Sequence, residues 1–364
     1  MFRRLKNLDW ILIIVTLFLL ILGIIVIYST TSGTSGFTET RSQIIYGIIG
    51  IILMFSFAFL DYKIFKSFTH VLYVVMIGLL LFVLFSGKIA HGATRWINLG
   101  FFQLQPSEVA KFVMIIVLAK YFSQKADKMT NLSSFLISLV YTIIPVFLVL
   151  IQPDLGTALV LVTIWGGMVL ASQARKIYVF GLGLAMLVLT PLAFEFLKDY
   201  QKKRILTFLN PASDPQGAGY NVLQSTISVG SGKIFGRGLG HGPQSQLKFL
   251  PERYTDFIFS VLGEELGLLG GIVLIVLFLI LIFRIVRVAK MSSDSFGSFI
   301  AVGVAVWILF QAFVNIGMNI GIMPVTGIPL PLISFGGSST IMLLISFGIL
   351  QSILNRRKKL NFKG

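Results

Sequence analysis

Asp256 is the residue with the clearest chemical potential in the stretch from Phe249 to Gly267. It lies where a long, glycine-rich polar segment meets an apolar run. A carboxylate at the edge of a membrane helix is costly to place and indicates a functional site. It could act as a general base that takes a proton from a substrate hydroxyl. The structural alternative is that Thr255 or Asp256 caps the helix that follows.

A second pair of charges, Glu108 and Lys111, lies inside an apolar run that begins near Pro106. Because they are three residues apart, they share one face of a helix and can neutralise each other. An isolated charge at mid-membrane costs on the order of 3 kcal/mol, so a pair is expected. The pair could form the polar floor of an outward-facing cavity, or it could be a structural ion pair that locks two helices.

Four more polar residues are candidates for substrate binding on the same side of the membrane. Arg95 stands beside Trp96, a combination that also serves as a membrane anchor. Asp154 adds a third carboxylate, which could instead cap a helix. Ser338 lies in a turn of small residues, which permit close helix packing. Arg204 belongs to the long polar segment.

Residues 198–256 form a long loop that is rich in glycine and in cations. The cations indicate an anionic ligand such as a diphosphate, or contact with anionic lipid headgroups. The glycines let the backbone approach a ligand or a membrane closely. The basic residues of this loop are Lys198, Lys202, Lys203, Arg204, Lys233, Arg237, Lys248 and Arg253.

Several classes of site are excluded by spacing. No βαβ unit surrounds the glycines, and no P-loop spacing is present, so ATP-driven work is not predicted. The three histidines are scattered and cysteine is absent, which gives no zinc-type cluster and no protein metal site. A Ser-His-Asp triad has no local support.

The composition is that of an integral membrane protein, with 56% hydrophobic and 12% charged residues and a mean hydropathy of +0.91. The net charge of +16 would suggest a nucleic-acid partner in a soluble protein. Here the basic residues flank apolar runs, which is the positive-inside pattern, so no nucleic acid is predicted. The first apolar run is too long for a signal peptide and is interpreted as an uncleaved span.

The chain is predicted to be a single all-α membrane domain, residues 1–364, with about ten transmembrane helices. The long extracytoplasmic loop lies between helices 7 and 8. The distribution of Lys and Arg places both termini in the cytoplasm. Short breaks around the sixth segment leave nine or eleven spans as alternatives. The ten segments are 9–29, 43–60, 67–86, 105–123, 132–150, 154–173, 176–197, 257–283, 296–320 and 334–354.

Over nearly its whole length the chain resembles the SEDS family (shape, elongation, division and sporulation). The resemblance rests on these motifs: GATRWINLG at 92–100, QPSEVAKF at 105–112, QPDLGT at 152–157, FLNPASDPQGAGYNVLQS at 208–225, FLPERYTDFIFSVLGEELG at 249–267 and PVTGIPLPLISFGGSS at 324–339. Asn210 and residues 245–249 are more similar to the elongation members than to the division members. Tyr254 stands where the family usually has histidine.

The resemblance implies a peptidoglycan glycosyltransferase that polymerises lipid II on the outer face of the bacterial cytoplasmic membrane, for cell elongation and shape. Its expected partners are a class B penicillin-binding protein (a transpeptidase), the cell-elongation machinery and membrane lipids. Asp256 matches the family's essential aspartate. Glu108 and Lys111 match the charged residues of its membrane motif.

In this reaction Asp256 would take the proton of the acceptor sugar's 4-hydroxyl, and direct displacement by one base predicts inversion. Arg95, Arg204 and Lys111 would hold the diphosphate. No cofactor is certain; a divalent cation, Mg or Mn, could also serve the diphosphate. The alternatives are a lipid II flippase, the division-type paralogue, and a scaffold. The scaffold would leave Glu108, Lys111 and Asp256 without a role.

Overall fold

The computed structural model describes residues 7–31, 37–86, 88–90, 93–98, 103–125, 129–196, 202, 206–211, 218–247 and 249–357. These residues are mostly helical, which confirms the predicted class. The helices are α1 Trp10–Thr31, α2 Thr38–Phe59, α3 Lys63–Ser86, α4 Pro106–Gln124, α5 Leu132–Ile151, α6 Leu155–Ala171, α7 Lys176–Phe196, α8 Ala218–Ser231, α9 Pro243–Gln246, α10 Ile258–Met291, α11 Ser295–Asn319 and α12 Gly337–Asn355.

Seven of the described helices are long and apolar enough to cross a membrane: α1, α2, α3, α5, α10, α11 and α12. Three further helices, α4, α6 and α7, coincide with predicted spans. Among these, α4 carries Glu108, Lys111 and Lys120, and α6 has 17 residues, which is short for a span. Helices α8 and α9 lie inside the segment that was predicted as one long loop.

A small antiparallel sheet, which the sequence did not predict, precedes α4. Its strands are β1 Lys88–Ala90, β2 Ala93–Asn98 and β3 Gln103–Leu104, in the order β1-β2-β3. In the register, Ile97 pairs with Leu104 and Asn98 pairs with Gln103. The sheet places Arg95 on its central strand.

Helix α11 lies in the interior and packs against α10, α4 and α6, while α12 packs mainly against α2. Close approach of α11 to α4 requires a small residue: a Cβ added to Gly303 would lie 2.8 Å from a methyl carbon of Ile115. Farther along the same interface the ring of Trp307 is fully buried. Large apolar side chains such as Val74 and Leu279 are exposed on the outward faces, as expected for helices that face lipid.

Helix α10 is interrupted at Gly267, where φ is 67° and ψ is −165°. Such a backbone conformation is accessible to glycine at little cost. The carbonyl oxygens of Glu264 and Glu265 accept hydrogen bonds from the amides of Arg237 and Gly238, each at 3.0 Å. The break is therefore satisfied by a separate segment of chain, as a membrane helix requires.

The same segment, residues 232–240, also accepts hydrogen bonds from α10. The amides of Leu268 and Leu269 donate to the carbonyls of Lys233 and Ile234 at 2.8 and 3.1 Å. A Cβ on Gly236 would clash with the backbone of α10. The sequence predicted that these glycines approach a ligand or a membrane; in the structure they approach the helix backbone.

Candidate active site

Asp256 does not cap α10. The N-cap residue is Phe257, whose own side chain makes no capping hydrogen bond. The hydroxyl of Thr255 donates to the carbonyl and to the carboxylate of Glu252, at 3.1 and 3.0 Å. Neither of the two residues that the sequence suggested is therefore the N-cap residue.

The Asp256 side chain is half-buried and faces a neighbouring loop at Gly327. Its Oδ2 atom lies 3.6 Å from the position that a Cβ would take on Gly327. Gly327 has a φ of 72°, so a side chain there would be strained as well as close to the carboxylate. The carboxylate therefore faces the backbone of the loop at Gly327.

Two buried asparagines of α11 hold the backbone of Asp256. The Nδ2 atoms of Asn315 and Asn319 each donate to the Asp256 carbonyl oxygen at 3.0 Å. Asn315 also donates to the carbonyl of Ile328 at 2.8 Å. The Oδ1 atom of Asn319 accepts from the amide of Ser260 at 3.1 Å. Both asparagine side chains are inaccessible to solvent.

The chain around residues 328–335 is fastened to the turn before α10. The Ser334 hydroxyl donates to the Thr255 carbonyl at 2.6 Å, and the Phe335 amide donates to the Tyr254 carbonyl at 2.9 Å. The rings of Tyr254 and Phe335 meet edge to face, with centroids 5.8 Å apart. These contacts fix the loop that faces Asp256.

Ser338 and Asp154 take part in a second network. The Ser338 hydroxyl donates to the Gln103 carbonyl at 2.9 Å and accepts from the Gln105 amide at 3.0 Å. The Gln105 side chain donates to Asp154 at 3.4 Å. Asp154 is the N-cap of α6 and accepts from the Thr157 amide at 3.1 Å. Helix capping, the structural alternative for Asp154, is therefore present.

Arg95 links the sheet to the turn before α6. Its Nε atom donates to the Gln152 carbonyl at 3.0 Å, and its NH2 group donates to the Pro153 carbonyl. The side chain is partly buried. A guanidinium carries five N–H groups, and NH1 of Arg95 donates to none of the residues that the structure describes.

Lys111 and Glu108 form the expected ion pair, with Nζ 2.6 Å from Oε1, and both side chains are almost fully buried. Lys111 Nζ also lies 5.1 Å from the centroid of the Trp307 ring, a favourable cation–π arrangement. The pair thus joins α4 to α11, as the ion-pair alternative predicted. The Glu108 Oε2 atom is buried with no hydrogen-bond partner in the described structure.

Three of the predicted site residues, Asp256, Asp154 and Ser338, lie around one loop, residues 326–336. A Cβ on Gly156, near the start of α6, would lie 2.7 Å from the Thr326 carbonyl, while the next residue, Gly327, faces Asp256. Ser338 follows this loop, and Asp154 connects to it through α6. Arg204 lies outside the described residues.

Sequence reasoning missed the roles of Asn315, Asn319 and Ser334. Two amides four residues apart in an apolar run were a usable signal, because buried polar side chains need partners and i, i+4 residues share a helix face. In the part of the chain that the structure describes, no cluster of three or more His, Asp or Glu side chains could hold a metal ion.

Comparisons with known proteins agree with this fold. Residues 9–359 match the family model FtsW/RodA/SpoVE, described as a cell cycle protein. The peptidoglycan glycosyltransferase MrdB of Escherichia coli K12 is 40% identical over 98% of this chain and 95% of its own length. A chain from a structure titled for coordinated polymerization and crosslinking by a peptidoglycan synthase complex has a TM-score of 0.81 at 30% identity, covering 95% of this chain and 97% of that one.

A crystal structure of the Thermus thermophilus rod shape determining protein RodA, in a variant with one aspartate replaced by alanine, has a TM-score of 0.74. It is 27% identical and covers 97% of this chain and 99% of that one.

Proposed function

This chain belongs to the FtsW/RodA/SpoVE family of cell cycle proteins, the SEDS family, and we propose that it polymerises lipid II as a peptidoglycan glycosyltransferase with Asp256 as general base. One observation carries the assignment to Asp256. Asp256 is not the N-cap residue of α10, and two buried amides hold its carbonyl next to the loop that its carboxylate faces. A positioned, half-buried carboxylate suits proton abstraction.

The proposed step is a direct displacement. The acceptor sugar's 4-oxygen bonds to the donor's anomeric carbon, and its proton passes to the Asp256 carboxylate. The bond from the anomeric carbon to the diphosphate oxygen breaks, and its electron pair leaves with the lipid diphosphate. A single displacement inverts the configuration at that carbon. Because the donor bond supplies the energy, no nucleotide is needed.

The leaving diphosphate needs positive charge close to it. Among the described residues NH1 of Arg95 has no hydrogen-bond partner, and Arg95 lies on the strand that leads toward α4, so we assign it a diphosphate contact. Arg204 is proposed for the same role. Lys111 is committed to Glu108 and Trp307, so it acts on the substrate only through that pair. A divalent cation, if used, would come with the diphosphate.

The membrane arrangement completes the proposal. Ten helices cross the membrane, both termini are cytoplasmic, and the site faces outward. Lys63, Lys66 and Lys125 then lie inside, as the positive-inside rule requires. The partners are a class B penicillin-binding protein and the cell-elongation machinery, in keeping with the synthase complex that the fold resembles.

The decisive test is synthesis by purified protein. We would incubate wild type and Asp256→Asn with labelled lipid II, each with the cognate penicillin-binding protein whose transpeptidase is blocked. Long glycan strands from wild type, and none from the variant, are expected. An equally active variant would refute the catalytic assignment. Transfer of intact lipid II between liposome leaflets, without polymer, would favour the flippase instead.

A further inference from the structure

We propose that Asn315 is a positioning residue that fixes Asp256 against the loop at Gly327. The inference rests on the proposed role of Asp256. Its basis is one shared side chain: the Nδ2 group of Asn315 donates both to the Asp256 carbonyl and to the Ile328 carbonyl, at 3.0 and 2.8 Å. These two carbonyls belong to two separate segments, the turn before α10 and the loop that the Asp256 carboxylate faces.

A primary amide has two N–H groups, and Asn315 donates to one carbonyl of each segment. The two carbonyl oxygens are acceptors only, so they cannot bind each other directly. The amide therefore acts as a bridge of fixed length between them. Because the Asp256 carboxylate faces the same loop at Gly327, this bridge fixes the position of the proposed base relative to that loop.

Asn319 makes the bridge rigid. It donates to the same Asp256 carbonyl and to the Asn315 carbonyl, and it accepts from the hydroxyl of Ser260 at 2.5 Å and from the Ser260 amide. Asp256 is thus held from α11 and the first turn of α10 is held by the same side chain. All three side chains, Asn315, Asn319 and Ser260, are completely buried.

If Asn315 and Asn319 only filled space between helices, apolar side chains would serve as well as amides. Burying an amide without partners is unfavourable, and apart from Gln311 the neighbouring residues of α11 are apolar at this end. The amide groups are therefore placed for donation. A displacement of about 1 Å between a base and its substrate can lower turnover by roughly a hundredfold, so a bridge of this kind affects rate more than binding.

The test uses Asn315→Leu and Asn315→Asp in the full-length protein with its blocked penicillin-binding partner. Asn315→Leu keeps the number and branching of the side-chain heavy atoms and removes both donors. We expect kcat to fall by at least about tenfold, and KM for lipid II to stay within about twofold, because positioning acts on the reacting geometry. Gln351→Leu is the matched control: its buried amide donates to the Asp9 carbonyl at 3.1 Å, far along the chain from this site.

Asn315→Asp separates positioning from packing. A carboxyl group facing two carbonyl oxygens can donate only when it is protonated. We expect the activity of this variant relative to wild type to rise as the pH falls from about 8 to about 6, whereas the ratio for Asn315→Leu stays flat. Thermal melting and gel filtration of every variant establish the folded fraction.

Two results would overturn the proposal: a folded Asn315→Leu enzyme with wild-type kcat, or a pH-independent ratio for Asn315→Asp. Failure of the proposed function itself has a different signature. In that case Asp256→Asn is active, whatever the Asn315 variants do.

Discussion

The Nζ atom of Lys111 lies 2.6 Å from the Oε1 atom of Glu108, and neither side chain has appreciable contact with solvent. Removing one partner leaves the other as an unpaired charge inside the protein. We predict that Lys111→Met lowers the free energy of unfolding by about 3–5 kcal/mol, and that adding Glu108→Gln restores most of the loss.

Thermal melting measures both variants. The exposed pair Lys63–Asp294, at 3.7 Å, is the control, and Lys63→Met should change stability by less than about 1 kcal/mol. A stable double variant that cannot polymerise lipid II would show that the pair contributes to chemistry as well as to folding. Full activity of the double variant would show that the Glu108–Lys111 pair serves only the stability of the fold.

Asp154 and Asp256 should differ in their contribution to stability. Asp154→Ala removes the cap from α6 and leaves the Thr157 amide without its partner, so we expect a loss of about 1–2 kcal/mol. Asp256→Ala removes no cap, and a smaller loss is expected. Equal shifts in melting temperature for the two variants would contradict this distinction.

Gly267 should not tolerate a side chain. Its positive φ and the nearby backbone of Ile234 and Gly236 leave no space for a Cβ. We predict that Gly267→Ala destabilises the protein by more than about 1 kcal/mol. Gly271→Ala is the control on the same helix, because the nearest atom to its Cβ would be a ring carbon of Phe259 at 3.8 Å. Similar melting curves for the two variants would show that glycine at position 267 is not required for the stability of the fold.

Arg95 provides a test of ligand binding. Its guanidinium donates to two carbonyls through Nε and NH2, and NH1 has no partner among the described residues. A lysine has a single nitrogen, so it cannot hold both carbonyls and a ligand in the same geometry. For Arg95→Lys we expect KM for lipid II to rise about tenfold, the equivalent of one charge-assisted hydrogen bond of about 1.5 kcal/mol. The exposed Arg41→Lys should leave KM unchanged. An unchanged KM for Arg95→Lys would show that the side chain does not bind lipid II and only stabilises the turn at Gln152 and Pro153.

Tyr254 should not contribute to the pH dependence of the reaction. Burial raises its pKa above the usual 10, and the negative charge of Glu252 acts in the same direction. The neutral phenol therefore persists below that pH. Tyr254→Phe should keep the pH–rate profile between roughly pH 5 and 9, while Tyr254→His should add an inflection near the usual histidine pKa of about 6.5. A profile altered by Tyr254→Phe would contradict the prediction.

The positions of the long helices were predictable because apolar runs must match the membrane thickness. The predicted starts of two helices are too late, because the first turn of each helix is polar. Helix α2 begins at Thr38 rather than at 43, and α3 begins at Lys63 rather than at 67. Hydropathy cannot detect such turns, since their residues lie outside the apolar window.

The sequence allowed the types of the site residues to be predicted, but not the hydrogen bonds that connect them. Asp256, Arg95 and Asp154 were identified as polar residues on the outer side. Their hydrogen bonds were not, because those depend on segments far apart in sequence. Asn315 is 59 residues from Asp256, and no local pattern links the two. The break at Gly267 was not predicted for the same reason, because the backbone groups around it bond to a distant segment, residues 233–238.

The break in α10 also has a mechanical consequence. Four backbone hydrogen bonds join residues 233–238 to the helix on both sides of Gly267. The two turns of helix between this break and the N-cap residue Phe257 follow Asp256 in the chain. A neighbouring protein that binds residues 233–238 would therefore contact the base of the helical segment that follows Asp256, without touching Asp256 itself.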